Sequence, residues 1–189
     1  MNRNNNDAEA YYNMGNVSDD EGEYDAAIEF YKKAIELKPD YAEAYYNMGY
    51  TYCRGKQDYG RAIECFEKAV ELNPDNAWAY NNLGNAYDEI QDHDKAIECY
   101  EKAVELMPDA AGAYYNMGYI YYKNKDDLDT ATGYFEKAIE SDPDFARPYY
   151  YMGIIYESTG KNRKAVRHMK KAALLGDEDA RQWLDENGK

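Results

Sequence analysis

Tyrosine and asparagine recur side by side along this chain, and these two residue types could bind an extended peptide. The chain has 189 residues and 23 tyrosines, and the pair Tyr46–Asn47 returns as Tyr115–Asn116. An asparagine side chain carries both a donor and an acceptor, so it matches a backbone amide. A tyrosine ring is a rigid apolar plate with a polar tip, and such rings anchor many interfaces. The same residues also suit packing and helix surfaces, so both interpretations stay open.

The other reactive residue types are not arranged as a catalytic or metal site. The two histidines, His93 and His168, are too far apart in sequence for a helical His-x-x-x-His metal pair. The sequence has no phosphate-binding glycine loop and no Cys-x-x-Cys pair, and its few serines do not suggest a Ser-His-Asp set. We therefore predict a protein that is not an enzyme and that uses no cofactor.

Composition and charge narrow the class of partner. Lys and Arg number 22 and Asp and Glu 37, so the formal net charge is −15 and the chain should repel nucleic acid. The longest nearly apolar run, residues 149–156, is far too short for a membrane-spanning helix. Cys53, Cys65 and Cys99 are odd in number and widely spaced, which is typical of reduced thiols in the cytoplasm. We expect a cytoplasmic protein that binds neither nucleic acid nor membrane.

Small residues and prolines at a fixed spacing define the elements that must position these side chains. The spacing is 34 or 35 residues, and repeats of this length stack side by side as a solenoid. Glycines stand at 15, 49, 84, 118 and 153, alanines at 27, 62, 96, 131 and 165, and prolines at 39, 74, 108 and 143. The extra residue of the second and fourth repeats lies between the glycine and the alanine, where we predict a turn.

Each repeat has the pattern of two helices. In the third repeat, Tyr80, Leu83 and Tyr87 have the i, i+3, i+7 spacing of one helix face. A polar turn at residues 91–94 separates them from a second amphipathic stretch. That stretch ends before Pro108, because proline cannot continue a helix.

This pattern resembles the tetratricopeptide repeat, with tyrosine in the place of its usual tryptophan. The resemblance covers five copies, at residues 8–41, 42–76, 77–110, 111–145 and 146–179. It implies an all-α, right-handed superhelical solenoid of five helix-turn-helix repeats plus a C-terminal capping helix. We assign residues 1–7 to a disordered tail and residues 180–189 to the capping helix and its tail, with the helix itself expected over 178–187.

In this family the first helix of each repeat lines a concave groove, so the resemblance places one Tyr- and Asn-rich stripe of each first helix there. The candidate peptide-binding residues are Tyr12, Asn13, Asn16, Tyr46, Asn47, Tyr50, Trp78, Asn81, Asn82, Asn85, Tyr115, Asn116, Tyr119, Tyr122, Tyr150 and Tyr151. Chaperone-binding members of the family hold a C-terminal carboxylate with groove lysines and arginines. Here one cation, Arg147, stands at such a position, so we expect weak or no binding of acidic C-terminal tails.

The sequence thus predicts a non-catalytic scaffold that binds a peptide segment or a partner helix in this groove, with neutral or basic proteins favoured. An alternative follows from the uneven charge, because residues 1–145 carry a net charge of −18 and residues 146–189 carry +3. Residues 161–171 include six cations and no carboxylate. This run is either a solvated helix face or a docking site. In the second case copies of the chain would stack head to tail as a self-assembling homo-oligomer.

Overall fold

The computed structural model describes residues 3–187, with side chains from residue 6, and this part of the chain contains eleven α-helices and no strand. The all-α class predicted from the sequence is confirmed. In chain order the helices are α1 Arg3–Asp20, α2 Tyr24–Leu37, α3 Ala42–Thr51, α4 Tyr59–Leu72, α5 Ala77–Glu89, α6 His93–Leu106, α7 Ala111–Lys123, α8 Leu128–Ser141, α9 Ala146–Ser158, α10 Asn162–Leu174 and α11 Glu178–Glu186.

The N-terminal tail differs from its prediction. Residues 3–7, which we expected to be disordered, form the first turns of α1, and residues 1–2 lie outside the described residues. The first buried residue of α1 is Ala8, which follows this stretch. In the final segment, α11 begins at Glu178, and residues 188–189 lie outside the described residues.

Prolines and side-chain caps set the helix ends. The second helices α2, α4, α6 and α8 each end two residues before a proline, as predicted for a residue that lacks the backbone donor. Asp58 accepts a hydrogen bond from the backbone N–H of Arg61 at the start of α4. Asn76 does the same for Ala79 at the start of α5. These caps satisfy backbone groups that have no partner inside the helix.

Helices pack in sequential pairs, and the chain divides into two compact units. Unit 1 runs to Leu106 and unit 2 begins at Met107. In unit 1 the pairs are α1 with α2, α3 with α4 and α5 with α6, and in unit 2 they are α7 with α8 and α9 with α10. Within the units α3 also packs on α2, α5 on α4, α9 on α8 and α11 on α10. A first helix therefore packs between two second helices, one from its own repeat and one from the preceding repeat, wherever both lie in its unit.

A glycine on each first helix touches a large side chain of the second helix in the same repeat. A Cβ atom on Gly84 would lie 2.7 Å from the ring of Tyr100, and one on Gly15 would lie 2.5 Å from the ring of Tyr31. Real Cβ atoms do not approach so closely, so glycine lets the two helices come together. The five pairs are Gly15–Tyr31, Gly49–Phe66, Gly84–Tyr100, Gly118–Phe135 and Gly153–Met169.

The extra residue that we assigned to a turn lies in the turn in the fourth repeat but within the first helix in the second repeat. Four residues, 124–127, separate α7 from α8, against three residues, 90–92, between α5 and α6, so the assignment is right for the fourth repeat and wrong for the second. In the third repeat the turn begins at Gln91, whose φ is 64°, seven residues after Gly84. In the second repeat the corresponding left-handed residue is Gln57, with a φ of 51°, eight residues after Gly49. The added residue is accommodated by a π-helical segment, Tyr52–Lys56, because a wider turn inserts one residue without breaking the helix.

We predict that Gly84→Ala lowers the free energy of unfolding by about 1–3 kcal/mol, because the new methyl group must displace the Tyr100 ring. The measurement is urea denaturation followed by circular dichroism. Gly133→Ala is the matched control, since Gly133 lies in α8 and a methyl group added there would have no neighbouring atom within 4 Å. The control should be neutral or stabilising by up to about 1 kcal/mol, because alanine is the better helix former. Equal losses in both variants would contradict the close approach.

Candidate functional site

The sixteen predicted site residues lie on the first helices α1, α3, α5, α7 and α9, and we call the surface that they form in each unit the first-helix face. Asn13, Tyr50 and Trp78 are exposed, and the other thirteen are partly buried. In unit 1 the face comprises Tyr12, Asn13, Asn16, Tyr46, Asn47, Tyr50, Trp78, Asn81, Asn82 and Asn85, and in unit 2 it comprises Tyr115, Asn116, Tyr119, Tyr122, Tyr150 and Tyr151. None of them is buried, so each unit exposes part of this surface to solvent.

Hydrogen bonds join α1 and α3 across the first-helix face of unit 1. The Asn47 amide nitrogen donates to Asn16 Oδ1 at 2.8 Å and to the Tyr12 hydroxyl at 3.0 Å. Asn16 Oδ1 also accepts from the buried Tyr31 hydroxyl at 2.9 Å. Both amide hydrogens of Asn47 are therefore used inside the protein. Within residues 6–187, Asn16 Nδ2 and Asn47 Oδ1 have no protein partner and can face a ligand.

The third repeat copies part of this arrangement. Asn82 donates to the Tyr46 hydroxyl of the preceding repeat at 2.9 Å. Asn85 Oδ1 accepts from the hydroxyl of fully buried Tyr100 at 2.8 Å. The asparagines that the sequence analysis treated as available to a ligand are thus partly occupied by one another and by core tyrosines. This fixes their orientation and leaves them fewer polar atoms for a partner.

Sequence reasoning missed the core tyrosines as supports of the site, although the sequence contains the signal. The residue after the repeat glycine is asparagine where the second helix supplies tyrosine, as in Asn16 with Tyr31. It is tyrosine where the second helix supplies phenylalanine, as in Tyr50 with Phe66. The third and fourth repeats show the same alternation. A core hydroxyl is therefore present only in the repeats whose face offers an amide to receive it.

A buried carboxylate, also absent from our prediction, lies behind this network. Asp19 is 8% exposed, and its Oδ1 lies 2.7 Å from the hydroxyl of fully buried Thr51. That hydroxyl is also 2.9 Å from the backbone oxygen of Asn47. Arg54 Nη1 lies 3.5 Å from Asp19 Oδ2 and partly compensates its charge. These contacts hold α3 and the π-helical segment against α1.

A pocket of about 520 Å³ opens on this part of the face. Its walls combine aromatic rings, amides, two carboxylates and one guanidinium. Burial raises the pKa of Tyr46, so its hydroxyl stays protonated and can donate. Such a mixture suits a polar segment that makes backbone hydrogen bonds and places one side chain inside. The lining residues are Asn16, Asp19, Asp20, Tyr31, Tyr46, Asn47, Tyr50 and Arg54.

In unit 2 the first-helix face is a cluster of tyrosine rings around Tyr151. The Tyr151 ring centroid lies 5.3 Å from that of Tyr119, 5.5 Å from Tyr122 and 5.2 Å from Tyr150. Beneath it, the core ring of Phe135 stacks at 5.7 Å. Burial raises the pKa of Tyr151. The face of unit 2 is therefore a cluster of aromatic rings that rests on the core ring of Phe135.

Arg147, the cation that the sequence placed in the groove, is already paired with carboxylates. Its Nη1 donates to Asp179 Oδ2 at 2.7 Å and to Asp177 Oδ2 at 3.1 Å. The guanidinium also lies over the rings of Tyr150 and Tyr151, 5.0 and 5.3 Å from their centroids. A ligand carboxylate would have to displace these partners, which supports the expected weak binding of acidic tails.

The cysteines are protonated at neutral pH. Burial raises the pKa of Cys53, which the sequence places beside the groove stripe, to about 11. It raises the pKa values of Cys65 and Cys99 to about 12. A thiol in this state is a poor nucleophile and a poor metal ligand. In the described residues no group of three or more His, Cys, Asp or Glu is placed to hold a metal ion, and none of the helices has the length and apolar character to cross a bilayer.

Comparison with known proteins gives a consistent family assignment. Four models, three described as tetratricopeptide repeat and one as TPR repeat, match residues 20–55, 40–109, 111–145 and 134–167. A crystal structure of MamA is 33% identical, with a TM-score of 0.81, and the match covers 89% of this chain and 97% of that chain. A search of curated protein sequences gives no match.

Two further solved structures have the same architecture. YrrB, described as a TPR protein with an unusual peptide-binding site, is 29% identical, with a TM-score of 0.78. The match covers 95% of this chain and 92% of that chain. Pseudomonas aeruginosa pilF is 20% identical, with a TM-score of 0.79 over 93% of this chain and 79% of that chain, and it is similar in fold alone.

We predict that Tyr31→Phe lowers the free energy of unfolding by about 0.5–1.5 kcal/mol, because Asn16 loses a hydrogen bond from the core. The variant keeps the ring against Gly15 and removes only the hydroxyl. Tyr80→Phe is the control, since the Tyr80 hydroxyl makes no hydrogen bond within the described residues. Denaturant unfolding of both variants is the measurement. A Tyr31→Phe protein as stable as the control would show that the core hydroxyl does not support the site.

Proposed function

The chain belongs to the tetratricopeptide repeat family, and we propose that it is a non-catalytic interaction scaffold that binds a peptide segment or a partner helix on the first-helix face. The observation that carries this proposal is the pocket between α1 and α3, whose half-exposed lining is held in place by buried Tyr31, Thr51 and Asp19. A site oriented in advance loses less entropy when it binds. The similarity to YrrB, which is described as having a peptide-binding site, supports the same interpretation.

Charge and hydrogen-bonding capacity indicate the chemistry of the ligand. Unit 1 carries 10 Lys and Arg against 23 Asp and Glu, a net charge of −13. A neutral or basic segment is therefore favoured over an acidic one, and nucleic acid is disfavoured. Asn16 Nδ2 and Asn47 Oδ1 offer one donor and one acceptor, which suits a backbone amide of an extended chain. With reduced thiols and this charge, a cytoplasmic location remains part of the proposal.

Two aromatic side chains on the face of unit 1 are the best candidates for anchors. Tyr50 is 43% exposed and Trp78 is 62% exposed. Neither makes a hydrogen bond or ring contact within the described residues. Exposed aromatic residues of this kind carry much of the binding energy when a partner covers them. They differ in this respect from Tyr46 and Tyr12, which are tied to asparagines.

We predict that Tyr50→Ala combined with Trp78→Ala weakens a ligand of the first-helix face at least about tenfold while the protein stays folded. The ligand is first selected from an array of neutral and basic peptides with the wild-type protein. Binding to the wild type, the double variant and the control is measured by calorimetry, since the double variant lacks the Trp78 fluorophore. Met14→Ser combined with Val17→Ser, on another face of α1, is the control. Unchanged affinity in the first double variant would reject the assignment.

Self-association is the second candidate, and one observation favours it. The six cations of residues 161–171 make no ion pair within the described part of the chain, and Lys161, Arg163, Lys164, Arg167 and Lys170 are exposed. An acidic surface of another copy could supply the missing carboxylates. The helix α11, which follows these cations in sequence, is mainly acidic. A contact with an acidic surface of another copy would therefore use α10 and not α11.

For this second candidate we predict a mass that rises with protein concentration and falls toward the monomer as salt is added, because salt screens contacts between exposed charges. Multi-angle light scattering over a range of concentrations is the measurement. Lys170→Glu combined with Lys171→Glu should abolish the rise. A constant monomer mass at low salt would remove this candidate and leave the peptide-binding proposal intact.

A further inference from the structure

One face of α1 is uncovered although the same face is buried in the helices that correspond to it. Its apolar residues are Ala10, Met14 and Val17, and all three are exposed, Met14 by 47% and Val17 by 57%. By the repeat spacing they correspond to Ala44, Met48 and Thr51 on α3, to Ala79, Leu83 and Ala86 on α5, and to Pro148, Met152 and Ile155 on α9. Each of these nine residues is buried.

The buried examples show what kind of element covers this face. α3 packs on α2, α5 on α4 and α9 on α8, and in every case the covering element is the second helix of the preceding repeat. In unit 2, Met152 and Ile155 share one apolar cluster with Ala131 and Phe135 of α8. The face of α1 therefore has the shape that receives an amphipathic helix of the second-helix type.

A carboxylate lies at each end of the uncovered apolar stripe. Asp7 and Glu21 are each seven residues from Met14, which is close to two helical turns, so the three side chains fall in line along the helix. Glu21 extends this line beyond α1, since its N–H bonds to the Val17 carbonyl. Both carboxylates are exposed and neither forms an ion pair within the described residues.

We propose that this face of α1 docks an amphipathic helix of a partner protein, with an apolar middle and a lysine or arginine near each end. Met14 and Val17 would contact the apolar side chains, and Asp7 and Glu21 would pair with the flanking cations. The net charge of −13 in unit 1 adds to the preference for a basic helix. The distance along α1 from Asp7 to Glu21 is about 21 Å, or about four turns, which sets the length of the partner helix.

A second copy of this chain fits the face less well. Two α1 stripes in contact would bring Asp7 and Glu21 of one copy against the same carboxylates of the other, and like charges at an interface oppose binding. The basic helix of this chain, α10, cannot serve while folded, because Met169 and Ala172 on its apolar side are buried with Ala180 of α11. A free helix with the same chemistry as α10 meets the requirement.

The probe is therefore a capped synthetic peptide with the sequence of residues 161–175, titrated calorimetrically into the full-length protein. It combines a central apolar side, Ala165, Met169 and Ala172, with cations toward both ends. The control peptide carries Lys161→Glu, Arg163→Glu, Lys170→Glu and Lys171→Glu. We expect binding of the basic peptide that weakens as salt rises, and affinity at least about tenfold lower for the acidic one.

Protein variants locate the contact. Met14→Ser with Val17→Ser should weaken the basic peptide at least about tenfold with only a small change in melting temperature, since both residues lie outside the core and are exposed by 47% and 57%. Asp7→Asn with Glu21→Gln should weaken it several-fold and flatten its salt dependence. Tyr50→Ala with Trp78→Ala should bind the peptide like wild type, which separates this surface from the first-helix face.

Four results would overturn the proposal: no binding of the basic peptide, equal binding of the acidic peptide, unchanged affinity in the Met14→Ser and Val17→Ser variant, or a loss of affinity in the Tyr50→Ala and Trp78→Ala variant alone. A wild-type dimer that Met14→Ser with Val17→Ser dissociates would assign the face to a second copy and would overturn it as well.

Discussion

The close contact between a first-helix glycine and a second-helix side chain is the constraint from which the rest of the structure follows. Because glycine has no side chain, the ring of Tyr31 or Tyr100 lies directly against the first helix. The ring then extends past the glycine, and its hydroxyl emerges on the far side at Asn16 or Asn85. One contact therefore sets both the separation of the two helices and the orientation of an asparagine on the surface.

Because of this coupling, the candidate site contains two kinds of position, one polar and fixed and the other aromatic and exposed. Asparagines held by core hydroxyls cannot swing freely, so their remaining polar atoms present a fixed pattern to a ligand. In the second repeat the core ring is Phe66, which has no hydroxyl group to bond a residue on the face. The corresponding face residue is Tyr50, and its ring lies at the surface. The alternation between repeats thus produces rigid polar positions and free aromatic positions along the same face of unit 1.

The spacing of glycine, alanine and proline was sufficient to predict helix pairs, because each of these residues acts through local geometry. The partners of individual side chains were harder to predict, since they depend on residues far away in sequence. Arg147 looked available because Asp177 and Asp179, its partners, lie about 30 residues further along the chain, at the start of α11. For the second repeat the sequence predicts the extra residue in a turn, because the repeat spacing does not show that a helix can absorb it as the π-helical segment Tyr52–Lys56.

The exposed apolar stripe on α1 shows a second reason why burial could not be predicted from the sequence alone. Met14 and Met48 have nearly the same sequence surroundings, yet one is 47% exposed and the other 8%. The difference lies in the neighbour, because α3 has α2 to pack against and α1 has no described helix in that position. Local sequence can mark such a residue as apolar, but whether it is core or surface depends on what packs against the repeat. Where that face is open, flanking charges such as Asp7 and Glu21 oppose contact between like copies while leaving the face accessible to a helix of opposite charge.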